Sequence, residues 1–201
     1  MPKYTLPSPP NPIAALWQEL AEKDAVEIVA RSGAVTDGEN LRLRAIGREF
    51  IINRRNHTII QADTGKPAPY LLTLLILQYL LKSRDLPLSG RLADPHELTG
   101  GEFFFRGPHT FNLKALEERF ALDREAFLAA GTKSGGYIQP LADTAFTIPA
   151  LPHVPLTYTL WLADNEFPAR IDVLFDSTAE YQLPLDMLWA LVNITNKQLT
   201  T

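Results

Sequence analysis

The side chains best suited to chemistry fall in two stretches of this sequence. In Arg106-Gly107-Pro108-His109, a guanidinium and an imidazole flank a Gly-Pro turn, a combination that can hold a carboxylate or a phosphate. Nearer the C-terminus, Trp161, Asp164, Glu166, Arg170 and Asp176 combine three acids, a cation and an indole. Such a set suits an acid–base or metal site, or a ligand site with Trp161 as its stacking wall. Each residue also has a plainer role open to it. Arg106 can pair with a nearby acid, and His109 can simply precede a helix. Asp164, Glu166 and Arg170 can form a surface ion pair worth about 0–1 kcal/mol. Trp161 can be a core contact, and Asp176 can start the turn Ser177–Glu180 through an Asx-type bond.

The elements that carry the second set discriminate between these roles. Leu156, Tyr158, Leu160 and Leu162 alternate with Thr157, Thr159 and Trp161, and Ile171, Val173 and Phe175 alternate with Arg170, Asp172, Leu174 and Asp176. Two such runs joined by a short polar loop predict an antiparallel hairpin. With Ala163 near Arg170, Asp176 falls beside Thr157 at the far end, roughly 20 Å away at about 3.3 Å per residue. Paired carboxylates work within about 5–10 Å. Asp176 therefore belongs to a different locality from Asp164 and Glu166, and no catalytic residue is assigned.

Other motifs give little. Asp63-Thr64-Gly65 has the triplet of aspartic proteases, but that chemistry needs two carboxylates sharing a proton, and a turn is the better reading. Gly65-Lys66 lacks the rest of a phosphate loop. There is no G-x-S-x-G elbow. His57, His96, His109 and His153 show no metal-binding spacing, so no metal is expected. The absence of cysteine removes disulfides, thiolate ligands and a thiol nucleophile from this chain.

The net charge of −4 argues against nucleic acid or an anionic membrane surface as the main partner. The most apolar run, Tyr70–Leu81, is too short to span a bilayer, which takes about 20 residues. Met1–Pro12 is proline-rich and has no apolar core, so no signal peptide is expected and the protein reads as cytoplasmic.

Periodicity predicts the scaffold. Residues 1–10 form an extended arm, and 11–201 a single α+β domain of antiparallel strands packed against helices. Asn11 and Pro12 start a helix with Ile13, Leu16, Trp17 and Leu20 on one face. Asp24 caps a second helix, Ala25–Arg31, that Gly33 stops. Leu41–Gln61 reads as a small meander with a bend at Gly47. Tyr70–Lys82 is apolar on nearly all sides, which predicts a strongly buried helix. A short strand is expected near Leu88–Leu92, and the three phenylalanines of Gly100–His109 predict a strand. Leu113, Leu116 and Phe120 begin a helix. Asp123 caps the next, with Leu122 and Phe127 as a hydrophobic staple and Gly131 at its end. Phe146–Ile148 is a strand, followed by a stretch stiffened by Pro149, Pro152 and Pro155. Pro184 opens a terminal helix with Leu185, Leu188, Trp189 and Val192 inward.

The stretches G-G-E-F-F-F-R-G-P-H, L-P-H-V-P-L, W-L-A-D-N-E-F-P-A-R, V-L-F-D-S-T-A and L-P-L-D-M-L-W resemble an uncharacterised prokaryotic domain-of-unknown-function family. The resemblance runs from Pro12 to Leu199. It implies an origin mainly among anaerobic bacteria and archaea, and relatives with an added cysteine-rich iron–sulfur segment that this chain lacks. Arg106, His109, Trp161, Asp164, Glu166, Arg170 and Asp176 are the positions it carries over, as expected ligand-binding residues. The reading that follows is a non-enzymatic small-ligand-binding or accessory protein of anaerobic metabolism. The alternatives are an enzyme with an acid, arginine and histidine pocket, and a structural protein acting through oligomer assembly. The expected partner is a small molecule or a protein. The cofactor and the oligomeric state stay open.

Overall fold

The structure is a computed structural model and describes residues 12–201. The expected arm over residues 1–10 and the Asn11 cap lie outside the described residues. Helix α1, Pro12–Glu22, buries Trp17 and Leu20 on the expected stripe. In α2, Ala25–Ser32, the Asp24 carboxylate accepts from the Val26 N–H, and Gly33 closes the helix in the left-handed region at φ 68°.

Four strands then form a meander: β1 (Val35–Asp37), β2 (Asn40–Ala45), β3 (Arg48–Asn53) and β4 (Thr58–Gln61), adjacent in that order. The alternation in β2 buries Leu41, Leu43 and Ala45 and leaves Arg42 and Arg44 outside. The exposed β1 has no apolar pattern and was not foreseen.

Helix α3 spans Tyr70–Lys82, as its composition predicts. It packs against α1 and α2. Leu75, Ile76, Leu77, Tyr79 and Leu80 are fully buried, each worth roughly 1.5–3 kcal/mol of transfer free energy. Tyr70 and Leu71, in its first turn, are exposed.

The second sheet is ordered β5-β9-β8-β7-β6, all antiparallel. Its members are β5 (Leu92–Ala93), β6 (Tyr137–Gln139), β7 (Thr144–Leu151), β8 (Val154–Trp161) and β9 (Arg170–Asp176). The expected β8–β9 hairpin is present with a different register. Trp161, not Ala163, pairs with Arg170, and Leu156 faces Phe175. The connecting loop is longer than pattern alone suggested. On one face Phe146 stacks on Tyr158, and the Tyr158 hydroxyl donates to Asn196 on the C-terminal helix α7, Leu185–Leu199. Helix α7 also packs on α3. The two sheets are joined where the Ile46 N–H donates to the Ala150 carbonyl at 2.8 Å.

Four local expectations are corrected. The three phenylalanines lie on a short helix, α4 (Gly101–Phe104), and its cap, not on a strand. Gly100 enters at φ 78°, and a Cβ on Gly101 would stand 2.0 Å from the Pro95 carbonyl oxygen, so the glycine pair sets the path. Helical spacing then sends Phe103 to solvent, Phe104 to a half-buried site and Phe105 into the core. The Leu122–Phe127 staple does not form, because Leu122 is 80% exposed. It precedes α6 (Arg124–Lys133), which follows α5 (Lys114–Phe120) and is capped by Asp123. Gly131 lies inside α6 rather than ending it. Pro149 and Pro155 sit within the β7–β8 hairpin, next to a register shift between Ile148 and Leu151 that accommodates a missing N–H.

Gly131 is required by contact. A Cβ there would lie 2.4 Å from Cγ of Phe146, whose ring is held between Phe127 and Tyr158. Gly131→Ala would gain about 1 kcal/mol of helix propensity, but overpacking costs about 1–3 kcal/mol when the neighbour cannot move. We expect a net loss of roughly 1 kcal/mol or more, read as a lower urea midpoint at unchanged slope. A more stable variant would show that the aromatic stack yields.

Candidate functional site: a groove on the second sheet

Cross-strand register builds the site. Trp161 and Arg170 are direct partners at one end of the β8–β9 pair, and Thr159 and Asp172 are the next pair on the same face. The Arg170 guanidinium carbon lies 5.8 Å from the Trp161 ring centroid. Its Nε and Nη2 donate to Asp172 Oδ2 at 3.2 and 2.8 Å. The indole is 44% exposed, so Trp161 is a surface wall and not a core contact. Together with Leu92, Asp94, Leu141, Ala142 and Leu174, these residues line a groove of about 590 Å³.

The wall opposite the hairpin is fixed by one carboxylate. Asp143 Oδ2 accepts the Leu162 N–H at 2.9 Å, tying the segment after β6 to the end of β8. Ala142 holds a left-handed φ of 52°, a region that costs a non-glycine residue energy. The backbone is thereby bent so that Leu141 and Ala142 reach the groove.

The other expected residues are placed elsewhere. Asp164 folds its own loop: Oδ1 accepts the N–H groups of Glu166 at 2.8 Å and Phe167 at 2.7 Å. These two bonds hold its carboxyl below the usual carboxylate range. The expected ion pair of Asp164 or Glu166 with Arg170 does not form; Asp172 is the partner. Glu166 is exposed. Arg106 bonds Glu102 at 2.8 Å, one helical turn away. His109 stacks on Phe104 at 4.3 Å and meets Trp189 edge-on at 5.8 Å. Neither Arg106 nor His109 lines the groove. Of the seven carried-over residues, only Trp161 and Arg170 come together there.

Asp176 is buried at 3% exposure and sits at the far end of β9, away from Asp164. Its Oδ1 accepts from the Thr178 N–H and hydroxyl and from the Ser89 N–H and hydroxyl, and its Oδ2 accepts from the Gly90 N–H at 2.8 Å. It starts the turn, as an Asx-type residue should, and also anchors the segment leading into β5. Burial alone would push its pKa up; the bonds from Thr178, Ser89 and Gly90 outweigh that and hold it below the ordinary value.

Asp172 was missed as Arg170's partner although the two share a strand face two residues apart. Leu92, Asp94, Leu141 and Ala142 come from segments far away in sequence and gave no local signal. Among the described residues, no group of three or more His, Asp or Glu is placed to hold a metal ion, and no helix is long and apolar enough to cross a membrane.

Two antiparallel sheets, helices packed against them, and an open groove on one sheet face define an α+β domain. The chain belongs to the family described as a domain of unknown function, DUF3786, whose family model matches residues 24–198. That span takes in both sheets and every groove residue. No curated protein and no solved structure matches the chain.

The Asp176 cluster makes a pH prediction. Its folded pKa lies below its unfolded value, so its contribution is present above about pH 4 and is lost as pH falls through the folded pKa. Asp176→Ala removes the acceptor and leaves the buried Thr178 N–H unpaired, at a cost of roughly 1–3 kcal/mol near neutral pH. Urea midpoints measured from pH 7 down to the acid limit should draw closer for wild type and variant, because the wild type loses the part of its stability that the charged carboxylate supplies. A constant gap across that range would show that the carboxylate's charge contributes nothing.

Proposed function

We propose that this protein is a non-catalytic small-ligand-binding protein, an accessory of anaerobic metabolism acting in the cytoplasm, and that its ligand lies in the groove beside Trp161 and Arg170. The observation that carries this reading is the exposed indole with a guanidinium over it, at the mouth of a groove walled by Leu92, Leu141 and Leu174. An indole in water is a poor use of a large apolar ring unless something stacks on it. Arginine has five N–H donors. Asp172 engages two, through Nε and Nη2, and the rest can meet a carboxylate or phosphate oxygen. The preferred ligand is therefore planar and anionic, with one ring against the indole and one acidic group on Arg170.

The enzyme reading would need Arg106 and His109 to converge with the acids, and their contacts with Glu102, Phe104 and Trp189 give it no support.

A thermal-shift screen with folates and corrinoids tests the proposal, because a ligand selective for the native state raises Tm. Of the three tryptophans Trp17 is buried, Trp189 half-buried and Trp161 exposed, so a stacked ligand should also quench the exposed tryptophan emission. Arg170→Ala should weaken such a ligand about tenfold or more, since a charge-assisted hydrogen bond contributes roughly 1.5–3 kcal/mol. Trp161→Ala should weaken it and remove the quenching. A ligand whose affinity neither substitution changes would refute the assignment to this groove.

A further inference from the structure

A second groove, of about 630 Å³, lies where the β2–β3 turn meets the C-terminal ends of α6 and α7. Arg48, Arg119, Lys133 and Lys197 line it, and Ala130 and Ile194 give it an apolar side. No aspartate or glutamate is among its lining residues, although the chain has 23 acids against 19 bases. All four cations are exposed. None of the ion pairs among the described residues includes any of them. Arg48 bonds the Gln61 side chain, and Arg119 donates to the Thr200 carbonyl.

One plain explanation is the helix dipole. Arg119, Lys133 and Lys197 stand in the last turns of α5, α6 and α7, where a cation offsets partial negative charge. Three helix ends carry roughly −0.5 each, and a terminal carboxylate on Thr201, also in the lining, would add −1; four full positive charges still leave a positive surplus. Arg48 comes from a strand and answers to no helix. The turn that carries it is also fixed in an unfavourable conformation. Ile46, a buried β-branched residue, adopts φ 49°, and Gly47 adopts φ 72°. The Ile46 N–H donates to the Ala150 carbonyl, and Gln198 Nε2 donates to the Ile46 carbonyl at 3.3 Å. A Cβ on Gly47 would stand 2.4 Å from the Ser134 carbonyl oxygen. The backbone of this turn is thus clamped against α6 and α7, and its cation is presented toward theirs.

We propose that this second groove binds a small organic anion that carries two or more phosphate charges on an apolar or aromatic body. Unpaired cations from a strand turn and three helices supply the attraction for the phosphates. The Ala130 and Ile194 side takes the body, and the volume falls in the range of about 300–1,000 Å³ usual for small-molecule sites.

Isothermal titration of the full chain with ATP and with tripolyphosphate, at an ionic strength of about 0.05 M to limit screening, tests this. ATP is expected to bind at one site per chain and more tightly than tripolyphosphate. The Lys133→Glu, Lys197→Glu double variant is expected to weaken ATP by about tenfold or more. Both positions are exposed, so circular dichroism should keep the folded spectrum, while acids at the ends of α6 and α7 oppose the helix dipoles and lower Tm by roughly a few degrees. The milder Lys133→Gln, Lys197→Gln pair should lose less. Trp161→Ala should leave ATP binding unchanged. No saturable binding of either probe, or binding that the charge-reversed variant keeps, would overturn the proposal. Loss of ATP binding in Trp161→Ala would also overturn it, by moving the ligand to the other groove. Equal affinity for the two probes would overturn the role given to the apolar side.

Discussion

Helix α3 has almost no face to offer water, and the rest of the structure is arranged to enclose it. An element apolar on nearly all sides must be wrapped, and α1, α2 and α7 do so. Among the polar groups that this enclosure traps is the Tyr79 hydroxyl, on a residue with no exposed surface. Such a group must find partners. It donates to the Ser32 carbonyl at 2.8 Å and accepts the His153 N–H at 3.2 Å. Burial pushes its pKa above the ordinary tyrosine value, so it remains a neutral donor. One hydroxyl thereby ties the central helix to the end of α2 and to the β7–β8 turn. Arg31 completes the enclosure by donating to the Leu81 and Ser83 carbonyls at the end of α3.

The second sheet inherits its asymmetry from this arrangement. One face must bury large rings against the helices, and Phe146 and Tyr158 do so across from Phe127 and Asn196. The opposite face alternates with it by the period of the strand, and there the central strands carry Thr147, Thr157 and Thr159. Threonine suits a pleated surface, and the Thr147 and Thr157 hydroxyls bond each other at 2.7 Å. The small Thr159 side chain lies between Trp161 at one end and Leu174, opposite Thr157, and this makes a depression rather than a ridge. The groove is a by-product of strand patterning, given walls by the segments that Asp143 and Asp176 hold in place.

Much of this was legible in the sequence because it depends on local period. The bounds of α3, the Asp24 and Asp123 caps, the meander and the β8–β9 hairpin follow from spacing and composition. The separation of Asp164 from Asp176 was legible too, because strand rise sets a distance that a register error of two residues does not undo. What escaped was set by contacts between distant segments. Gly100 and Gly101 override the strand preference of three phenylalanines because Pro95 leaves no room for a side chain. Gly131 has the look of a helix end and is instead a seat for the Phe146 ring. Leu141 and Ala142 line the first groove through the Asp143–Leu162 bond, and β1 pairs with β2 without any apolar alternation of its own.

The two grooves differ in how their cations are held, and that difference determines what each can attract. In the first, Asp172 neutralises part of the Arg170 charge and holds the guanidinium over the indole. A partly neutralised cation contributes direction more than long-range pull, so selection there rests on planarity and on apolar contact. In the second, the lysines have no carboxylate partners among the described residues, and their field adds to that of Arg48 and Arg119. Exposed charges of one sign act beyond contact distance until salt screens them, over about 10 Å at 0.1 M. On a chain with net charge −4 such a patch opposes the average field of the surface, so it draws in a multiply charged anion that the rest of the molecule repels. The same acidic background keeps a weakly charged ligand of the first groove dependent on Trp161 contact. The fold thus presents two surfaces whose selectivities rest on different forces, and salt should weaken binding in the second groove far more than in the first.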